Sequence, residues 1–345
     1  NNNENNTKSI EISVDEKPTG EIFASAGAGT SGASLGFGVR ENNFLGKGIG
    51  LDSNILLSGE SIKGKFSVTN PNFKNSDKTL FASVEAIENN YYKNFGYKTN
   101  KTGISIGTNF EYLNDFYVGI NSSNFYEVIE TNSTASAQQQ AQEGNYWDSF
   151  IKLSMNYDKR NQKFQTSDGF KSHYSVDLPL ISDTNTLKNY YNYSHYFDFF
   201  EKNFSSISIY LESAHSINNK DIKLSERITI PSNRLRGFEA GRLGPKDGDD
   251  FVGGNYAYSI NVASNIPQIF EESQNVDFLI FADAADIWGV DYNSSIKGSG
   301  IRSSVGVALD WMSPVGPMNF TLAYPVTKEI GDKTETFRFN LGTTF

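Results

Sequence analysis

The chain has no cysteine among its 345 residues and only three histidines. Disulfide bridges and thiolate metal sites are thereby excluded. No stretch comes near the ~20 apolar residues that a membrane-spanning helix needs. The richest, around Phe278 to Ala285, is short and is interrupted by Asp283. Basic residues are in deficit, with 30 Lys and Arg against 40 Asp and Glu and a net charge of −10. A basic footprint is missing, so no nucleic-acid partner is expected. A leader segment is also missing from view, because the chain opens on the polar run Asn1–Asn6.

Helical periodicity is equally scarce, and alternation with period two runs through most of the chain. Leu35, Phe37 and Val39 alternate with Ser34, Gly36 and Gly38. Ile207, Ile209 and Leu211 alternate with Ser206, Ser208 and Glu212, and Val305, Val307 and Leu309 with Ser304, Gly306 and Ala308. One face is apolar and the other is polar or tiny. Phe (26), Tyr (18) and Gly (30) are all frequent. A polar average composition does not argue against a membrane barrel, because only every second residue of a barrel strand faces lipid.

Strands are expected near 21–29, 33–43, 48–58, 61–70, 79–88, 101–110, 115–126 and 146–157. Eight more follow near 170–180, 187–200, 203–215, 255–267, 274–285, 302–312, 316–324 and 335–345. The total is about sixteen, an even number, as single-chain bacterial barrels have. The connections split by parity. One set is mostly short: 44–47, 71–78, 111–114, 201–202, 268–273 and 313–315, with 158–169 a longer exception. The interleaved set holds every very long one: 89–100, 127–145, 216–254 and 286–301. Short turns at one end and long loops at the other are characteristic of outer-membrane barrels. A soluble β-sandwich needs a second sheet over its apolar face, and a propeller needs a blade-length repeat, which is absent. The fold expected is an all-β transmembrane antiparallel barrel.

Enzyme chemistry finds little support. His173, His195 and His215 lie in expected strands, and adjacent Ser194 and Ser216 point to the opposite face from their histidine neighbours, out of reach of a nucleophile–base pair. The acidic run Lys246–Asp250 lacks the ligand spacing of a known calcium loop. No catalytic residue, metal site or cofactor is assigned.

Several motifs, in order along the chain, resemble the BamA family of outer-membrane insertases. Glu16–Ile22 (EKPTGEI) is similar to that family's junction between its periplasmic POTRA domains and its barrel. Glu41–Gly48 (ENNFLGKG) resembles its first periplasmic turn, and Tyr157–Phe170 (YDKRNQKFQTSDGF) its Y-D-x-R segment. Leu235–Pro245 (LRGFEAGRLGP) with Val252–Asn255 (VGGN) resembles the long loop bearing V-R-G-F, and Phe281–Trp288 (FADAADIW) the motif F-x-D-x-G-x-x-W. Trp311–Val326 and Phe337–Phe345 look like the last two strands. The resemblance implies that residues 1–20 are a remnant of the last POTRA domain and linker, with Thr7–Gly20 an edge strand, and that residues 21–345 form the barrel. It implies an extracellular loop folded into the lumen, with Arg236, Gly237 and Phe238 as its motif and Arg236 anchored on the inner wall. Asp283 is the expected anchor, since Asp277 and Asp283 share the parity opposite to Phe278, Ile280 and Ala282. A second acidic partner of the family falls at Ala263 here.

The first strand is rich in Gly and Ala and should pair weakly. Closing against the last strand, it would form a lateral gate comprising Ile22, Phe23, Ala24, Ser25, Gly27 and Gly29 with Phe337, Phe339, Leu341 and Phe345. The function implied is catalysis of folding and insertion of outer-membrane β-barrel proteins in a Gram-negative outer membrane, without an enzyme reaction. Unfolded barrel clients, accessory lipoproteins, periplasmic chaperones and the lipid bilayer are the implied partners. A polypeptide-exporting or autotransporter-assembling relative and a passive diffusion porin are the alternatives.

Overall fold

The computed structural model describes residues 13, 15, 17–269, 275–296, 298–314 and 316–342. Within them, sixteen antiparallel strands close into one cylinder. The first half is β1 (Gly20–Gly29), β2 (Gly32–Phe44), β3 (Ile49–Ser58), β4 (Ser61–Asn70), β5 (Thr79–Tyr91), β6 (Tyr97–Leu113), β7 (Phe116–Thr131) and β8 (Gly144–Asp158). The second half is β9 (Gly169–Pro179), β10 (Thr186–Phe197), β11 (Ser205–Ser216), β12 (Tyr256–Asn265), β13 (Val276–Trp288), β14 (Arg302–Ser313), β15 (Gly316–Thr327) and β16 (Phe337–Leu341). Each strand pairs with its sequence neighbours, and β1 meets β16. The expected all-β barrel of sixteen strands is therefore what forms.

Alternation sorts the side chains as the period-two pattern requires. Leu35, Phe37, Val39, Val84, Ile104, Ile106 and Ile280 are exposed on the outer face. Their sequence neighbours point into the lumen. On β13 the lumenal set includes Phe281, Asp283, Ala285 and Ile287, all buried.

Boundaries differ most where strands outrun the membrane. The expected loop at 89–100 is largely strand: β5 continues to Tyr91 and β6 begins at Tyr97, with Asn89 opposite Thr99 and Asn90 opposite Lys98. The loop expected at 127–145 likewise shrinks, as β7 reaches Thr131 and β8 starts at Gly144. Apolar alternation could not mark these extensions. Beyond the bilayer a ladder needs only its backbone hydrogen bonds, and polar side chains can face water on both sides. The strand expected at Thr7–Gly20 lies mostly outside the described residues, and Gly20 opens β1.

The lumen is filled by the connection between β11 and β12. Its Ile222, Ile228, Ile230, Leu235, Phe238 and Leu243 pack with wall residues Tyr210, Ala214, Ala257, Ala285 and Ile287 in one buried cluster. A second cluster joins Leu224 and Phe251 of the same loop to Phe95, Tyr97 and Ile129. The run Lys246–Asp250 forms part of a two-stranded turn, pairing Lys246 with Phe251 and Asp247 with Asp250. Asp247 there accepts hydrogen bonds from Ser136 and Tyr292. At the opposite end, the longer turn 159–168 reaches under the lumen, where the Gln165 amide donates to both Asp277 oxygens at 3.1 and 3.0 Å. Within the same turn, Arg160 grips Asp158 at the end of β8 with two bonds of 2.8 and 2.7 Å.

Candidate functional site: the lumenal loop and the barrel seam

Arg236 is placed on Asp283 in a two-pronged geometry. Its Nε donates to Oδ2 and its Nη2 to Oδ1, both at 2.7 Å, and the Arg236 backbone N–H adds a bond of 3.0 Å to Oδ2. The planar guanidinium suits this fork, which fixes angle as well as distance. The Asp283 side chain is fully buried. Phe281 lies two residues away on the same face, with the guanidinium carbon 3.5 Å from its ring centroid. A cation over an aromatic face adds attraction on the side the carboxylate leaves open. Ala263, where the family has a second acid, instead packs in the apolar group of Phe281, Ala308 and Ala323. Asn261 takes up the polar role: its amide donates to Asp283 at 2.9 Å and to the Arg234 carbonyl at 2.8 Å.

The two remaining motif residues lie deeper. Gly237 has φ +89°, and a Cβ there would come within 3.1 Å of the Ala323 side chain. Both the left-handed backbone and the close wall favour glycine. Phe238 is completely buried in the lumenal cluster. The flanking arginines are occupied too, Arg234 with Asn192 at 2.7 Å and Arg242 with Asn94 at 2.6 Å.

The seam is short. Among the described residues β1 and β16 share two residue pairs, Ala28 with Leu341 and Gly29 with Asn340. On its other side β1 pairs β2 at ten positions. The Thr30 amide extends the seam by one bond of 3.1 Å to the Phe339 carbonyl. The structure thus brings Gly29, Phe339 and Leu341 together. Ile22, Phe23, Ala24 and Ser25 have no β16 pair among the described residues, Gly27 lies beside Gly342 just past β16, Phe337 pairs Leu322 on β15, and Phe345 lies outside the described residues. The contact is tight where it exists, since a Cβ on Gly29 would approach the Asn340 side chain and the Phe339 carbonyl to 2.7 Å. Outward, β1 shows lipid only Ile22 and the three methyls of Ala24, Ala26 and Ala28.

Residues 43–345 match the Omp85 superfamily domain. The chain belongs to the Omp85 superfamily. Its relatives include the outer membrane protein assembly factor BamA of Neisseria meningitidis, 35% identical over 32% of this chain and 17% of that protein. BamA of Neorickettsia risticii is 23% identical over 97% of this chain and 46% of that protein. The chain thus spans less than half the length of these two relatives. Among solved structures, BamA from Haemophilus ducreyi lacking POTRA domains 1–3 superposes with a TM-score of 0.89 at 24% identity, covering 96% of this chain and 71% of that one. These matches and the apolar outer face place this Omp85 barrel in the bacterial outer membrane.

Three buried charged groups of the Omp85 barrel are not evident from sequence alone, and two of them, Lys223 and Arg227, belong to the lumenal loop. Lys223, 1% exposed, reaches Glu127 on β7 at 2.9 Å and Asp148 on β8 at 2.6 Å. Arg302 on β14 joins Asp286 at 3.1 Å and Asp332 at 2.9 Å. Arg227 pairs with Asp291. Strand parity could have put Glu127 and Asp148 on the lumenal face, whereas Asp286 has the parity opposite to Asp283. It could not have chosen Lys223 as the partner of Glu127 and Asp148, because Lys223 comes from a loop with no periodicity.

Proposed function

We propose that this barrel is the membrane domain of an outer-membrane protein assembly factor, which speeds folding and insertion of β-barrel clients at a lateral gate between β1 and β16. The observation that carries the reading is the make-up of β1, the strand that meets β16, whose outer face carries only Ile22 and the small Ala24, Ala26 and Ala28. Parting two strands inside a bilayer exposes backbone groups that cost several kcal/mol each when unsatisfied. An incoming client strand offsets that cost by pairing with the edge that parting exposes. The alanine face of β1 adds to the effect. Each methylene buried in an apolar medium is worth about 0.8 kcal/mol, so an alanine strand is held in lipid far less firmly than one of Leu and Phe.

The driving force is the client's own hydrogen bonding and lipid burial, and the reading involves no enzyme reaction or cofactor. Unfolded barrel proteins, periplasmic chaperones that deliver them and accessory lipoproteins are the partners proposed, in a Gram-negative cell and with POTRA domains preceding the barrel. Names of relatives support the assembly role over an exporter, and the packed lumen is ill suited to a polypeptide path. The test uses full-length protein in lipid vesicles, carrying Ala28→Cys and Leu341→Cys. Oxidation should abolish the acceleration of client folding, and reduction should restore it. Unchanged acceleration with the disulfide formed would overturn the proposal.

A further inference from the structure

The segment joining β15 to β16 leaves the wall and lies along the Arg-Gly-Phe loop. Lys333 N–H donates to the Arg242 carbonyl and Glu239 N–H to the Lys333 carbonyl, both at 3.0 Å. Phe238 and Thr334 form an antiparallel bridge, and Glu335 N–H donates to the Gly237 carbonyl at 2.9 Å. The last strand therefore begins as a backbone partner of the loop. One side chain carries the contact onto β16. Arg338 Nη2 donates to the Phe238 carbonyl at 3.1 Å, while its Nε is held by Glu335 at 2.6 Å. Arg338 is 9% exposed on the lumenal face. The next residue, Phe339, offers its carbonyl to Thr30 just past β1. Consecutive residues of one strand are thus held by the loop from inside and by the seam from the side.

We propose that Arg338 is a positioning residue through which docking of the Arg-Gly-Phe loop sets the pairing of the seam. With the loop docked on Asp283, Phe238 presents a fixed carbonyl, and Arg338 holds β16 where Phe339 can meet Thr30. When the loop leaves, the same strand loses its inner support. Coupling of this kind is reciprocal, so a closed seam also favours the docked loop. This inference deepens the gate reading and rests on it for its purpose, but not for its measurement.

The experiment is hydrogen exchange on full-length protein in lipid vesicles, comparing Arg236→Ala, Arg338→Met and the double variant with the unaltered chain. Each single change is expected to speed exchange at Thr30 about fivefold or more, the lower range of allosteric couplings. The double variant should exchange no faster than the faster single one, and β6–β7 amides should not change. Arg338→Lys, which keeps a donor for the Phe238 carbonyl, should restore much of the protection. Should Arg338→Met fail to form a heat-modifiable barrel, Glu335→Gln replaces it, with a smaller shift in the same direction. Multiplying effects in the double variant, or a protected Thr30 in Arg338→Met, would overturn the coupling. The seam disulfide separates the two ideas: its block of client folding alongside multiplying exchange effects removes only the coupling, whereas a disulfide without effect removes the gate.

Discussion

At the scale of single residues, the pair to weigh is Arg236 with Asp283. Bringing both charges out of water offsets much of their attraction, so the pair adds little net stability while complete. Breaking it is another matter, because the fully buried Asp283 carboxylate would keep only Asn261 and a backbone N–H. Loss of one partner of such a pair costs about 3–5 kcal/mol, and every 1.4 kcal/mol is about tenfold in population. Arg236→Ala should therefore raise trypsin cleavage after Arg242 in the intact barrel by about a hundredfold or more. Arg236→Lys keeps the charge but not the fork, and should fall between the two. Equal cleavage in all three would remove Asp283 as the anchor. The parity of Asp283 was readable from the sequence, because its lipid-facing neighbours are apolar. The stacking of Phe281 on Arg236 was not, since a phenylalanine on the lumenal face looks like any other core residue. Nor was Arg338, whose partner is the backbone of a residue a hundred positions away.

At the scale of elements, the wall is uneven. β6 spans seventeen residues and β7 sixteen, against ten for β1. The order and number of strands were legible because each membrane-crossing stretch carries its own apolar alternation. The ends of β5 to β8 were not, since polar residues outside lipid obey no such rule. The small side chains of β1 were plain from its Gly and Ala content, but its register against β16 was not, since composition leaves register free. Gly29 is the place to test that ladder. A valine there must push aside the Phe339 carbonyl and the Asn340 side chain, so Gly29→Val should lower the yield of the disulfide between Ala28→Cys and Leu341→Cys at least severalfold. The same substitution at Gly59, whose Cβ position is open, is the control. An unchanged yield would mean that the seam has slack the close contacts do not suggest.

At the scale of the whole molecule, the outer face and the lumen make different demands on the same strand. Val84, half exposed on the outer face of β5, sits about 13 Å from the short-turn end, with a rise of about 3.4 Å per residue and a tilt near 40°. Val84→Lys should destabilise the folded barrel by about 2–4 kcal/mol, as a basic residue near the bilayer midplane does. Ser83→Lys, one residue away and facing the lumen, should do much less. Urea-dependent loss of heat modifiability in lipid vesicles measures both, and equal effects would contradict the assigned faces.

The interior has an electrical consequence. A diffusion porin is a water-filled resistor that conducts at all times. Here the bore is stopped by side chains with the packing of an ordinary protein core, and the stopper is joined to the tube by charged clasps rather than by covalent cross-links. Across a voltage-clamped planar bilayer the molecule should be nearly silent, with rare, discrete current steps, and Arg236→Ala should make those steps frequent. Steady current from the unaltered chain would show that the stopper does not seal. Each step recorded would then be a single departure of the loop, timed one molecule at a time.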